Sequence, residues 1–208
     1  MTGPAPKVPV IHLVDDDAAF RDSTAFLLDS IGLQARVYVD AQSFLQSTPS
    51  GHGCIILDLA MPGLSGLDLQ GVLAERGFQM PIVFLTGHGD LRSGVRAMRA
   101  GAEDFLTKPV EAEELLEAVR RALARDLVES RAREDLADLR QRVARLSDRE
   151  TEILQHVARG QLNKQIAGDL GIALQTVKFH RGNVMTKLDA RSLSELIRIA
   201  QRTGIIPR

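Results

Sequence analysis

The sequence predicts an α/β chain in two parts. A doubly wound, five-stranded parallel sheet comes first, followed by a long helical linker and an all-α domain of four helices. Three observations carry this reading. Five short apolar runs alternate with amphipathic helical patterns from Val10 to about Leu123. Neither glycine nor proline interrupts the stretch from Val110 to Arg159, so nothing there stops a helix. The charge also changes sign along the chain. Residues 1–125 hold 11 Lys/Arg against 16 Asp/Glu, residues 126–146 hold five of each, and residues 147–208 hold ten against six. A whole-chain net charge of −1 thus hides −5 at one end and +4 at the other. Such a split points to an acidic module joined to one suited to nucleic acid. The expected boundaries are 8–125, 126–145 and 146–208.

The composition, 44% hydrophobic and 25% charged over 208 residues, is that of a globular protein and excludes collagen, rods and disorder. Cys54 is the only cysteine, which excludes a disulfide framework and any multi-cysteine metal site. Met1–Val10 lacks the apolar core of a signal peptide, and no apolar run approaches ~18 residues. A cytoplasmic protein without a membrane partner is expected.

Each element has its own signal. Val10–Val14 is an apolar strand running into Asp15, Asp16 and Asp17. Asp17 is placed to cap the helix that follows, which carries Phe20, Phe26, Leu27 and Leu28 and stops at Gly32. Leu33–Val39 reads as a strand and Ala41–Gln46 as a short helix. Cys54–Leu57 is a fully apolar strand ending at Asp58. After the Met61-Pro62-Gly63 turn, a helix resumes over Gly66–Glu75. Pro81–Leu85 is the fourth strand, ending at Thr86-Gly87. Leu91–Ala100 is helical and closes at Gly101. Asp104–Leu106 is the fifth strand, before Lys108-Pro109.

The polar residues collect at one edge. Asp15, Asp16, Asp58, Thr86 and Lys108 lie at or just past the C-terminal ends of four strands, where open parallel sheets bind ligands. Three carboxylates there repel one another unless a cation compensates them, and a hard divalent ion with oxygen ligands fits. Carboxylates, a metal, a lysine and a hydroxyl together suit the holding of a phosphoryl group on a carboxylate.

This half resembles the receiver domain of bacterial two-component response regulators, with its CheY-like, flavodoxin-like strand order. The resemblance rests on Val14-Asp15-Asp16-Asp17, Leu57-Asp58-Leu59-Ala60-Met61-Pro62-Gly63, Leu85-Thr86-Gly87 and Lys108-Pro109. It implies that Asp58 is the phosphoacceptor, charged by a sensor histidine kinase. It implies Mg²⁺ held by Asp15 (through water), Asp16, Asp58 and the Ala60 carbonyl. Lys108 would pair with phosphoryl oxygens and precede a cis proline bond, Thr86 would bond the phosphoryl group, and Phe105 would be the coupled aromatic switch. Ala60 and His88 occupy positions that tune dephosphorylation in the family.

Beyond it, Leu115, Val119, Ala122 and Leu123 mark the inner face of the last receiver helix. Leu136, Leu139, Val143 and Leu146 recur at 3, 4, 3 spacing, as in a coiled-coil seam. Ser147 and Glu150 form a capping box that starts a helix carrying Ile153, Leu154 and Val157. Asn163 is placed to cap a short helix, Lys164–Leu170. Gly171-Ile172 makes a turn, and a longer helix runs to about Leu188, with a fourth over Ser192–Thr203. Small Ala167 at the crossing, with Ile166, Leu170, Ile172 and Val177 inside, is helix-turn-helix patterning.

At 100° per residue, Val177, Val184 and Leu188 share the inner face of the longer helix, while Gln175, Lys178, Phe179, Gly182, Asn183 and Thr186 point outward. An outward Phe179 on a basic helix suits contact with a thymine methyl or a sugar in a groove. Lys164, Thr176, Arg181 and Lys187 are candidates for phosphate contacts. This half resembles the LuxR-type helix-turn-helix over about Leu146–Ile205, through Leu146-Ser147-Asp148-Arg149-Glu150, Asn163-Lys164-Gln165-Ile166-Ala167, Thr176-Val177-Lys178-Phe179-His180 and Lys187-Leu188. The resemblance places base contacts on Lys178, Phe179 and Gly182. Phe179 and Gly182 depart from the family's commoner residues, and Ala173 stands where a capping Ser is often found.

Together the halves resemble response regulators of the FixJ/NarL type, phosphorylation-controlled transcription factors. Implied partners are a histidine kinase, double-stranded promoter DNA, RNA polymerase, and a second copy of the chain on phosphorylation. The chain is then not an enzyme, except that the receiver assists its own phosphotransfer and autodephosphorylation. Two rivals stand beside this. One is a carboxylate-nucleophile phosphohydrolase: Asp15 and Asp17 have the right spacing, but Ala19 replaces the expected hydroxyl. The other is a DNA-binding protein whose receiver is vestigial.

Overall fold

The computed structural model describes residues 8–47, 49, 51–87 and 91–206. Its described residues fall into two compact units that divide between Ser130 and Arg131. No helix among them is long and apolar enough to cross a membrane.

The first unit holds β1 (Val10–Val14), α1 (Ala18–Ser30), β2 (Gln34–Tyr38), α2 (Ala41–Gln46), β3 (Gly53–Asp58), α3 (Gly66–Glu75), β4 (Ile82–Thr86), α4 (Leu91–Arg99), β5 (Asp104–Thr107) and the first part of α5 (Ala112–Val143). The five strands are parallel in the order β2-β1-β3-β4-β5. Side chains alternate between the two faces of a strand, and the core divides accordingly. Val14, Ile55, Leu57 and Phe84 pack with Ala41 and Phe44 of α2, Leu69 and Leu73 of α3, and Ala97 of α4. Ile11, Leu13, Cys54, Ile56, Val83 and Leu85 pack with Leu28 of α1 and Leu115, Ala118, Val119 and Ala122 of α5. Both faces of the central strands are thus covered, which explains their unbroken apolar sequences.

Caps fix the helix starts. The Asp17 side chain accepts from Ala19 and Phe20 N–H, as expected, and Asp40 caps α2. Ser65 and Asp68 form a capping box on α3 that the sequence reading did not identify. The Lys108-Pro109 peptide is cis.

Helix α5 runs unbroken for 32 residues. Asp126, where the linker was expected to begin, is buried in the first unit. Its carboxylate accepts the Gly53 N–H at 2.9 Å and lies 3.5 Å from the His52 ring. Gly53 has φ +153, and a Cβ there would meet the Val10 carbonyl at 1.9 Å. Only glycine allows β3 to start beside β1 in this way.

The second unit contains the end of α5, α6 (Asp148–Ala158), α7 (Asn163–Asp169), α8 (Leu174–Lys187) and α9 (Leu193–Thr203). Ile153, Leu154, Ile166, Val177, Val184, Leu188, Leu196 and Ile199 form its core. Ser147 and Glu150 cap α6 as expected. Asn163 does not cap α7. Leu162 holds that position, and the Gln165 side chain accepts the Leu162 N–H at 2.8 Å. The Asn163 side chain is engaged elsewhere, accepting from Arg181 at 2.9 Å. Leu139, Val143 and Leu146 pack against this core, so three of the four seam residues belong to the domain's own interior.

Candidate functional site

The sheet delivers the acidic residues to one edge, as strand order requires. Asp15 follows β1, Asp58 ends β3 and Thr86 ends β4; all three are buried, while Asp16 is exposed. Carboxylate oxygens of Asp15, Asp16 and Asp58 lie within 4.8 Å of one another. An all-oxygen, hard donor set of this kind fits Mg²⁺. Just past β5, Lys108 reaches back with Nζ 2.6 Å from Asp15 and 3.6 Å from Asp58. Its backbone N–H donates to the Thr86 carbonyl at 2.8 Å, fastening the ends of β4 and β5 together.

Burial pushes the Asp58 carboxyl above the usual carboxylate range. The Lys108 ammonium opposes this, and the charge on Asp15 adds to it. Three carboxylates meet one ammonium there, and a divalent cation would offset the cost of burying the ionised Asp58.

Three supporting residues escaped the sequence reading. Gly66 opens α3, and a Cβ there would meet the Asp58 carbonyl at 2.3 Å, so glycine lets α3 start against the β3 loop. A glycine at the first helical position, where propensity disfavours it, was the available signal. Arg21 donates to the Asp15 carbonyl at 2.6 Å. Phe20 lies with its ring centroid 4.2 Å from Lys108 Nζ. Nothing in the spacing of Phe20 or Arg21 separates them from ordinary helix residues.

Phe105 is half-buried, its ring 6.2 Å from that of Phe84. Leu91, Gly94, Val95, Met98, Arg99 and Thr107 surround it in an open, largely apolar groove. Ala60 is exposed beside Asp58. His88 lies outside the described residues.

In the second unit, Gln175, Lys178, Phe179, Gly182 and Thr186 are exposed on α8, Thr176 and Asn183 are half-buried, and Lys164 is exposed on α7. Phe179 is 64% exposed. Space around the Gly182 α-carbon is open. Ala173 at the N-cap of α8 makes no side-chain capping bond, as expected. Two of the candidate phosphate contacts are already engaged. Arg181 donates to Asn163, and Lys187 Nζ bonds the Glu150 carboxylate at 2.6 Å and the Arg145 carbonyl at 3.2 Å.

Comparison with known proteins agrees with the two-domain organisation. Residues 11–120 match the response regulator receiver domain, and residues 144–200 match the bacterial regulatory proteins of the luxR family. The chain is 43% identical to the transcriptional regulatory protein FixJ of Azorhizobium caulinodans, over 97% of this chain and 96% of that protein. It is 45% identical to nodulation protein W of Bradyrhizobium diazoefficiens, over 94% and 87% of the two chains. Among solved structures, the response regulator StyR is similar at a TM-score of 0.86 and 43% identity, covering 94% of this chain and all of that one. Full-length FixJ from B. japonicum is similar at a TM-score of 0.57 and 40% identity, covering 96% and 98%. The chain belongs to the two-component response regulators that join a receiver domain to a LuxR-type DNA-binding domain, a family of transcriptional regulators rather than classical enzymes.

Proposed function

We propose that Asp58 accepts a phosphoryl group from a sensor histidine kinase, and that this controls dimerisation and binding to promoter DNA. The observation that carries the reading is the convergence of Asp15, Asp16, Asp58 and Lys108 at one sheet edge. In the transfer, an Asp58 oxygen forms a bond to phosphorus as the bond from phosphorus to the donor breaks, and the donor leaves with that electron pair. Asp15, Asp16, Asp58 and the Ala60 carbonyl would hold Mg²⁺, which supplies charge neutralisation at the transferred group. Lys108 leaves Asp15 to pair with a phosphoryl oxygen. Thr86 bonds another, and Phe105 follows it inward. The receiver assists this transfer and the later hydrolysis of its own phosphoryl group.

A phosphoryl group adds about −1.5 to −2 charge, which biases a two-state element. That element is the α4–β5 face, where Leu91 is 84% exposed and Met98 46%. A second copy of the chain covers it in the phosphorylated state. On DNA, Lys178, Phe179 and Gly182 read bases, and Gln175 and Asn183 flank them. Lys164 and Thr176 contact phosphates. Arg181 and Lys187 reach phosphates only by releasing Asn163 and Glu150. RNA polymerase is the downstream partner and the cytoplasm the compartment. The receiver function is assigned to 8–125 and DNA binding to 146–208, while within 126–145 Asp126 packs into the first unit and Leu139 and Val143 onto the second.

Selection of bound sequences from random duplex DNA tests this. Phosphorylated protein should enrich a site of two related half-sites, and Asp58→Asn should not. Equal enrichment of one site by both proteins would overturn the reading.

A further inference from the structure

Among the described residues, the Lys108 ammonium lies 2.6 Å from Asp15, 3.6 Å from Asp58 and 4.2 Å from the Phe20 ring centroid. Phe20 is firmly placed. Its N–H donates to the capping Asp17 carboxylate at 3.2 Å, and its ring packs partly into the core beneath α1. Next to it, Arg21 fastens the same turn of α1 to the Asp15 carbonyl.

A lysine ammonium is a compact, strongly hydrated charge on a flexible stem, and it turns toward water where it can. Here the side chain is only 17% exposed. A ring face attracts a cation without taking up an N–H donor. A carboxylate would instead compete with the phosphoryl group for those donors. We propose that Phe20 is a positioning residue of the phosphoacceptor pocket, its ring keeping the Lys108 ammonium beside Asp58 while it exchanges Asp15 for a phosphoryl oxygen. The proposal rests on the phosphoacceptor reading of Asp58.

Leucine at this position keeps most of the apolar volume and removes the ring face; tyrosine keeps the ring. In the full chain with saturating Mg²⁺, Phe20→Leu should slow labelling of Asp58 by acetyl phosphate about five- to tenfold. Half-saturation by acetyl phosphate should not change, because the ammonium acts on charge that builds during transfer. Phe20→Tyr should restore the rate to within about twofold. NMR supplies a second readout that needs no variant. The Lys108 ε-methylene protons should be shifted upfield by the ring current, and the shift should persist after phosphorylation. Phe20→Leu should abolish it.

Wild-type labelling rates in Phe20→Leu, or no rescue by Phe20→Tyr, would overturn the proposal. So would Lys108 signals without an upfield shift in the wild-type protein, which decides the matter even if Phe20→Leu does not fold. Failure of the wild-type protein to label at all would instead overturn the phosphoacceptor assignment.

Discussion

His12 stands on β1 three residues before Asp15, fully buried, with Nδ1 2.9 Å from the Tyr38 hydroxyl. Burial, with the Arg36 charge second, lowers its imidazole from 6.5 to about 4. Between those values the unfolded chain binds a proton that the folded chain does not, so stability rises with pH across that window. It should be fully present above about pH 6.5 and fall by up to ~1.4 kcal/mol per pH unit toward pH 4. His12→Gln, which can still accept from Tyr38, should flatten the curve by about one proton in urea unfolding at several pH values. An unchanged slope would refute this origin of the acid sensitivity. Lys187 shows the limit of reading a basic residue on a helix-turn-helix from sequence. It is a candidate phosphate contact there, yet its ammonium bonds Glu150, 37 residues away in sequence and 5% exposed at its side chain. The Lys187 ammonium and the Ser147 N–H hold the Glu150 carboxyl below its ordinary range. Lys187→Ala should cost the second unit roughly 1–2 kcal/mol, discounted for the exposure of Lys187. Thermal unfolding of the variant and of Glu150→Gln would show it. A variant that melts like wild type and only loses salt dependence in DNA binding would restore the phosphate role.

At the scale of elements, β1, β3 and β4 were legible within a residue or two because both of their faces are buried, and the more exposed edge strands β2 and β5 because turn residues bound them. The pocket was legible because a parallel sheet gathers strand ends at one edge, and Asp15, Asp58, Thr86 and Lys108 occupy those ends. Side-chain ties between distant elements were not. The Asp126 bond to Gly53, the Asn163 bond to Arg181 and the Phe20 ring beside Lys108 join residues that no periodicity links. The end of α5 was left open by spacing alone. A 3, 4, 3 spacing is shared by a coiled-coil seam and by a helix packed on its own domain, and Leu139, Val143 and Leu146 take the second course. Leu139→Ala should therefore destabilise the second unit by about 1–3 kcal/mol, less than for a fully buried leucine. Dimer loss with unchanged melting would instead favour a seam. On α8, Phe179→Ala removes an exposed ring. It should leave melting unchanged while weakening specific DNA binding about tenfold or more in a titration against the selected site.

For the whole molecule, the sign change in charge maps onto chemistry. The acidic half carries a pocket where three carboxylates meet one ammonium, and the basic half carries an exposed helix with Lys178 and Phe179. Sequence separated these functions because each half keeps its own core and its own charge. It could not say how a phosphoryl group on one changes the other, since that lies in an equilibrium between states. In the proposed function, phosphorylation of Asp58 governs DNA binding. The most direct measurement is the affinity of the full chain for its selected site, at fixed salt with Mg²⁺, before and after acetyl phosphate, for wild type and Asp58→Asn. Binding should be at least about tenfold tighter after phosphorylation, a coupling of ~1.4 kcal/mol, in wild type alone. Stoichiometrically labelled wild-type protein that binds no more tightly than Asp58→Asn would contradict it.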